Sequence, residues 1–208
     1  MSSSSTSVKN QVRGTSTNHR VPYATHTSQR GPIGRTSYSS ASSRPIVSES
    51  YPNSHVFGVF PKNSIENLCK AIGKRKAELV SLRNTKNVRS SSIEGLLLGP
   101  SQPLTMIGYE PKKKFSLGDS GTSIIDGFHS QMRVAVEVEK GRVLLGNQIY
   151  LDLYKFIAID DIEYGVMVVP TISREGAEKP FERCVTKMKI LEDKLERLGI
   201  KGLAVIGY

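Results

Sequence analysis

The sequence predicts an α/β protein built on a central mixed β-sheet flanked by helices. Three observations carry that prediction. Apolar residues recur at helical intervals in several segments, short apolar runs of strand length end at Pro170 and at the C-terminus, and the two patterns alternate along the chain. That order of elements builds a layered sheet.

The first 54 residues stand apart from this pattern. Residues 1–50 of the 208-residue chain hold 14 Ser, 6 Thr, six basic residues and a single acid, Glu49. A stretch without apolar periodicity cannot bury enough surface to offset an ordering entropy of about 1–2 kcal/mol per residue. The expectation is a disordered, Ser/Thr-rich basic tail over 1–54 and a folded domain over 55–208. Arg13, Arg20, Arg30, Arg35 and Arg44 leave three readings of the tail open: a solvated extension, a contact for a polyanion, and an organelle transit peptide.

The folded part opens near His55-Val56-Phe57-Gly58-Val59-Phe60. Asn63 precedes Glu66 by three residues, the spacing of a reciprocal N-terminal cap. Behind it Ile65, Leu68, Cys69, Ile72, Leu79, Val80 and Leu82 predict one amphipathic helix, with Lys70, Lys74, Arg75, Lys76 and Arg83 mostly on its outer face. That basic face serves either as solvation or as a DNA contact. Ser90 starts a short helix through Ile93, Glu94 and Leu96 to Leu98, stopped by Gly99 and Pro100. Met132 to Glu139 reads as a strand, and Gln148 to Ala158 as a helix with Ile149, Leu153, Phe156 and Ile157 on one face. Tyr164 to Val169 reads as a buried strand. Lys179 to Leu198 reads as a second strong helix ended by Gly199, and Gly202 to Gly207 as a closing strand.

Composition narrows the function. The formal net charge is +10, from 29 Lys+Arg against 19 Asp+Glu, and without residues 1–50 it is +5, from 23 against 18. No run approaches the roughly 18–20 apolar residues of a membrane helix, and the first residues lack the apolar core of a secretory signal. With only Cys69 and Cys184, neither a disulfide framework nor a cysteine-rich zinc site can be built. A soluble protein of a reducing, cytoplasmic compartment is expected, with no membrane partner and with organelle targeting by the tail left open.

The chemistry lies in Thr122-Ser123-Ile124-Ile125-Asp126-Gly127-Phe128 and Arg133-Val134-Ala135-Val136-Glu137-Val138-Glu139-Lys140. In the second segment Val134, Val136 and Val138 point one way while Glu137 and Glu139 share the other face. A hairpin turning around Ser130 brings Asp126 opposite Glu137. Three converging acids repel unless a divalent cation neutralises them. Oxygen ligands, no nearby Cys and a single His129 favour magnesium over zinc. The alternative is that Glu137 and Glu139 lie on the solvent face of an edge strand, balanced by Arg133 and Lys140.

Asp126, ten intervening residues and then Glu137-Val138-Glu139 resemble the PD-(D/E)xK nuclease core. The proline of that signature is Ile125 here and its lysine is Glu139. The type II restriction endonucleases related to BglII and BamHI are similar in both respects, with Glu or Gln at the lysine position. Gly141, Asn147, the helix through Tyr154-Lys155-Phe156 and the strand Tyr164–Pro170 extend the likeness, which covers roughly residues 105–172. It implies a PD-(D/E)xK restriction-endonuclease-like core in which Asp126, Glu137 and the Val138 carbonyl ligate Mg2+. Glu139 falls where the family places the residue that positions or deprotonates the attacking water. Glu110 matches a further upstream acid, with Glu94 as its rival.

The function implied is Mg2+-dependent, site-specific cleavage of double-stranded DNA by a homodimer, since a palindromic target is read by two symmetric copies. Lys140, Arg142, Asn147 and Gln148 follow the acids and are candidates for DNA contact, with a loop and helix cap as the alternative. Two other functions stay open: a structure-specific or repair nuclease of the same fold, and a non-catalytic basic nucleic-acid-binding protein.

Overall fold

Six strands form one mixed sheet, and helices cover both of its faces. The structure, a computed structural model, describes residues 53–85, 89–140, 147–173 and 176–208. The expectations for the tail, and for Gly141 and Arg142, lie outside them. The elements run β1 (Asn53–Gly58), α1 (Ser64–Gly73), α2 (Lys76–Asn84), α3 (Ser90–Leu98), α4 (Pro103–Met106), β2 (Glu110–Ser116), β3 (Thr122–His129) and β4 (Val134–Val138). They continue with α5 (Gln148–Ala158), β5 (Tyr164–Val169), α6 (Pro180–Lys189) and β6 (Gly202–Gly207). The strand order is β1-β6-β5-β4-β3-β2. β4, β5 and β6 run parallel, whereas β1 on β6, β3 on β4 and β2 on β3 are antiparallel.

Alternation along the buried strands divides the core in two. Val134, Val136, Val138, Val166, Val168, Ala204 and Ile206 pack with α1–α4, through residues such as Leu68, Ile72, Leu79, Ile93 and Leu97. Ala135, Met167, Val169, Leu203 and Val205 pack with Ile149, Leu153 and Phe156 of α5 and Cys184 and Met188 of α6. Both cysteines are free and buried. Among the described residues no helix is long and apolar enough to cross a membrane.

Two glycines let helices approach the sheet closely. A Cβ on Gly127 of β3 would lie 2.7 Å from Leu98 Cδ2 of α3, and one on Gly165 of β5 would lie 2.3 Å from Phe156 Cδ2 of α5. Both helices carry polar residues to the end of β4, so these contacts help set the site.

The expected elements hold at α3, α5, β5 and β6, and four details differ. The single helix from Asn63 to Arg83 is two, because the chain breaks at Lys74 and Arg75 between α1 and α2. Asn63 adopts a left-handed conformation (φ 63°) and makes no side-chain cap bond, so the reciprocal cap with Glu66 does not form. Instead the Ser64 hydroxyl donates to the Pro61 carbonyl at 2.7 Å. The helix expected through Leu198 stops at Lys189 and continues as two 3-10 turns, Glu192–Lys194 and Glu196–Leu198, before Gly199 (φ 75°) ends it. β2, unexpected from Glu-Pro-Lys-Lys-Lys-Phe-Ser, lies at the sheet edge with mostly exposed side chains. Lysines and proline are typical of edges that must not recruit another strand.

Candidate active site

The β3–β4 hairpin positions the acids. Gly127 faces Val136, Phe128 faces Ala135 and His129 faces Val134, so the next step of the same register carries Asp126 toward Glu137. Asp126 Oδ2 accepts a hydrogen bond from the Val138 amide at 3.0 Å, which ties the carboxylate to the end of β4. β4 lies between β3 and β5 and is not an edge strand. Glu137 is only 3% exposed, so the solvent-face alternative does not hold for it. Arg133 pairs with Glu163 rather than with Glu137.

Glu139 leaves the end of β4 with its backbone held on both sides. Its amide donates to the Val168 carbonyl at 2.8 Å, and its carbonyl accepts from the Tyr208 hydroxyl at 2.9 Å. Its side chain hydrogen-bonds to Asp152 of α5. Asp152 is fully buried and also accepts from Gln148 Nε2, at 3.2 and 3.3 Å to its two oxygens.

Two lysines are interleaved with these acids. Lys155 Nζ lies 2.8 Å from Glu137 Oε1 and 3.0 Å from Asp152 Oδ1. Lys112 Nζ lies 2.7 Å from Asp126 Oδ1 and also pairs with Glu94 of α3. Lys112 has φ 51°, a left-handed kink in edge strand β2 beside Asp126. Among the described residues no three Asp, Glu, His or Cys side chains are close enough, as oriented, to share a metal.

The electrostatics follow from burial. Burial pushes the Glu137 carboxyl up to about 9, and repulsion from Asp126 and Asp152 adds to it while Lys155 opposes it. Burial likewise raises Glu139 to about 8, helped by Asp152 and Asp126. Burial alone would lower the Lys155 ammonium, but Glu137 and Asp152 outweigh it and raise the group. Lys112 is raised in the same way by Asp126 and Glu94. The end of β4 thus concentrates acids that repel one another and attract cations.

The expected site residues fall into two groups. Asp126, Glu137, Val138 and Glu139 meet at the end of β4. Glu110 does not join them: it is exposed and pairs with Lys113 at 2.6 Å, whereas Glu94 reaches the cluster through Lys112. Lys140 sits at the bend after β4 and Asn147 is exposed at the start of α5, while Gln148 is engaged with Asp152. His129 stacks edge-on against Tyr109, ring centroids 5.3 Å apart. Sequence reasoning missed Asp152, Lys112, Lys155 and Tyr208. Asp152 had a signal: it interrupts the apolar stripe of Ile149, Leu153 and Phe156, where a charge needs partners.

Comparison with known proteins bears on the same region. No curated protein and no solved structure is significantly similar to the chain. Residues 45–208, most of the chain, match the family described as "Putative halobacteria restriction endonuclease". That description names a nuclease with DNA as its substrate. By its sequence and over the whole of the described fold, the chain belongs to this restriction endonuclease family.

Proposed function

We propose that the protein is a Mg2+-dependent type II restriction endonuclease of the BglII/BamHI-like group, cutting double-stranded DNA at a specific site as a homodimer. One observation carries the reading. At the C-terminal end of a buried strand Asp126 accepts the Val138 amide, and Lys155 bridges the buried Glu137 and Asp152, a gathering of charge that works against stability and is explained by use.

The donor set fits a hard divalent cation. Carboxylates of Asp126 and Glu137 with the Val138 carbonyl would hold it, and Glu94 is the better-placed further acid than Glu110. All are oxygen donors, which suits Mg2+. Bound there, Mg2+ supplies Lewis acidity that offsets charge building on the scissile phosphate.

The chain's own residues do the rest. Hydrolysis joins a water oxygen to phosphorus, breaks the P–O3′ bond with its electron pair leaving on O3′, and passes one proton from water to a base. O3′ ends as an alcohol after taking up a proton from solvent. Glu139 in its ionised form is the base: its carboxyl has a raised proton affinity, and the Tyr208 hydroxyl holds its backbone. Asp126 orients the end of β4 through the Val138 amide.

Purified protein incubated with plasmid or phage DNA tests the reading, with Mg2+ in one arm and chelator in the other. Discrete fragments that need Mg2+ support it. A smear points to a nuclease without sequence selectivity, and no cleavage in either arm removes it. Sedimentation of the protein on cognate DNA tests the homodimer.

A further inference from the structure

The signature's lysine position is Glu139, so that position brings no cation to the end of β4. The fold brings one from elsewhere. Lys155, one turn from the end of α5, extends its ammonium to 2.8 Å from Glu137 Oε1 and 3.0 Å from Asp152 Oδ1. Resting on the nuclease reading above, we propose that Lys155 is the functional lysine of this active site, delivered by α5 in place of the strand position that Glu139 occupies.

Three observations support the assignment. First, Lys155 touches the same acid that the hairpin aligns with Asp126, so its charge lies within the cluster. Second, its side chain is 27% exposed while those of Glu137 and Asp152 are 4% and 1% exposed. The lysine is therefore the member of this trio that keeps contact with solvent. Third, its placement is enforced. Phe156, the next residue, seats against Gly165 so closely that a Cβ would lie 2.3 Å from the ring. Asp152 on the preceding turn is locked by Gln148. An ammonium in a partly dry site stabilises developing negative charge better than one in water.

In this role Lys155 transfers no proton. Its ammonium would face the phosphate oxygens once a divalent cation held by Asp126 and Glu137 replaced it as the counter-ion of that carboxylate. Lys112, held between Glu94 and Asp126, is less suited: its side chain is 54% exposed and it comes from the kinked edge strand.

The competing explanation is that Lys155 only neutralises two buried acids. Both explanations predict harm from removing it, so the test uses two variants and two readouts on the full chain. In Lys155→Met the single-turnover cleavage rate falls about 100-fold or more. Mn2+, titrated calorimetrically into the DNA-free protein, then binds roughly 5–10-fold tighter because the competing ammonium is gone. Lys155→Arg keeps the charge and restores at least part of the rate. Slower cleavage together with tighter metal binding supports the proposal. Slower cleavage with metal binding weakened in proportion to lost folded protein, judged by circular dichroism, overturns it in favour of a structural counter-ion. Cleavage by Lys155→Met at the wild-type rate also overturns it. A wild-type chain that neither cleaves DNA nor binds Mn2+ fails the nuclease reading itself, which is a separate result.

Discussion

Replacing Glu137 by Gln removes one buried titrating carboxyl while keeping the side chain's size and an oxygen for Lys155. Glu137 has its proton affinity raised from the ordinary 4.5 to about 9 by burial and by Asp126. Between those values the folded protein holds a proton that the unfolded chain has released, so stability must fall as pH rises. The contribution is greatest below the unfolded value, is lost progressively toward pH 9, and changes no further above it. Each pH unit costs up to about 1.4 kcal/mol for such a group. A window from about pH 6.5 to 8 lies above much of the titration of His55, whose burial lowers it and gives the opposite slope, strongest at lower pH. It also stops short of the thiol range, where buried Cys69 and Cys184, both raised, add the same sign. Across that window Glu137 alone accounts for about 2 kcal/mol, or roughly 4–8 °C in Tm for a protein of this size. Glu139, raised to about 8, adds a smaller loss that both proteins share. Thermal melts followed by circular dichroism in chelator therefore show wild type losing about 4–8 °C more than Glu137→Gln between the two pH values. Saturating Mg2+ removes most of the wild-type loss. Parallel melting of the two proteins across the window would refute the account of Glu137 as a buried carboxyl working against its neighbours.

Asp126→Asn retains an acceptor for the Val138 amide and keeps Tm within a few degrees, whereas Asp126→Ala orphans that amide and costs about 1–3 kcal/mol by denaturant titration. Both abolish cleavage in a plasmid assay, and an active Asp126→Asn would remove Asp126 from the metal site. Glu139→Gln lowers the single-turnover rate while specific binding by gel shift is preserved. Glu139→Lys is inactive, because it sets a second cation beside Lys155. Wild-type cleavage by Glu139→Gln from pH 6 to 9 would end its role as base. Gly165→Ala drives a methyl into Phe156 and destabilises by about 1–3 kcal/mol. Gly95→Ala, an exposed position of α3 with open space, gains up to about 1 kcal/mol, so equal effects in urea melts would contradict the packing argument.

Readability from sequence followed the source of each element's stability. α5, β5 and β6 are specified by apolar periodicity and burial, and their ends match the sequence expectation. The β3–β4 register was readable because a short turn leaves few ways to pair the strands. β2 was not, because Pro111 and three successive lysines suit an edge whose side chains face water, a pattern shared with loops. The break between α1 and α2 was hidden by an apolar series that resumes at Leu79 on the far side. The structure offers no account of why α6 stops at Lys189, where Ile190 is 65% exposed.

The site divides along the same line. Asp126, Glu137 and Glu139 lie on one hairpin, so local spacing places them together. Glu94, Lys112, Asp152 and Lys155 reach the cluster from α3, β2 and α5, and their arrival depends on how the helices seat on the sheet. Gly127 and Gly165 do that seating: each lacks the Cβ that would push away a helix bearing site residues. A glycine in a strand weakens the strand and gives a sequence reader only a sign of close approach. What approaches, Leu98 with Glu94 one turn before it or Phe156 beside Lys155, is decided by the tertiary fold. The charge balance of the site is therefore a property of helix placement, and a methyl group on Gly165, remote in chemistry from any phosphate, should disturb it by displacing α5.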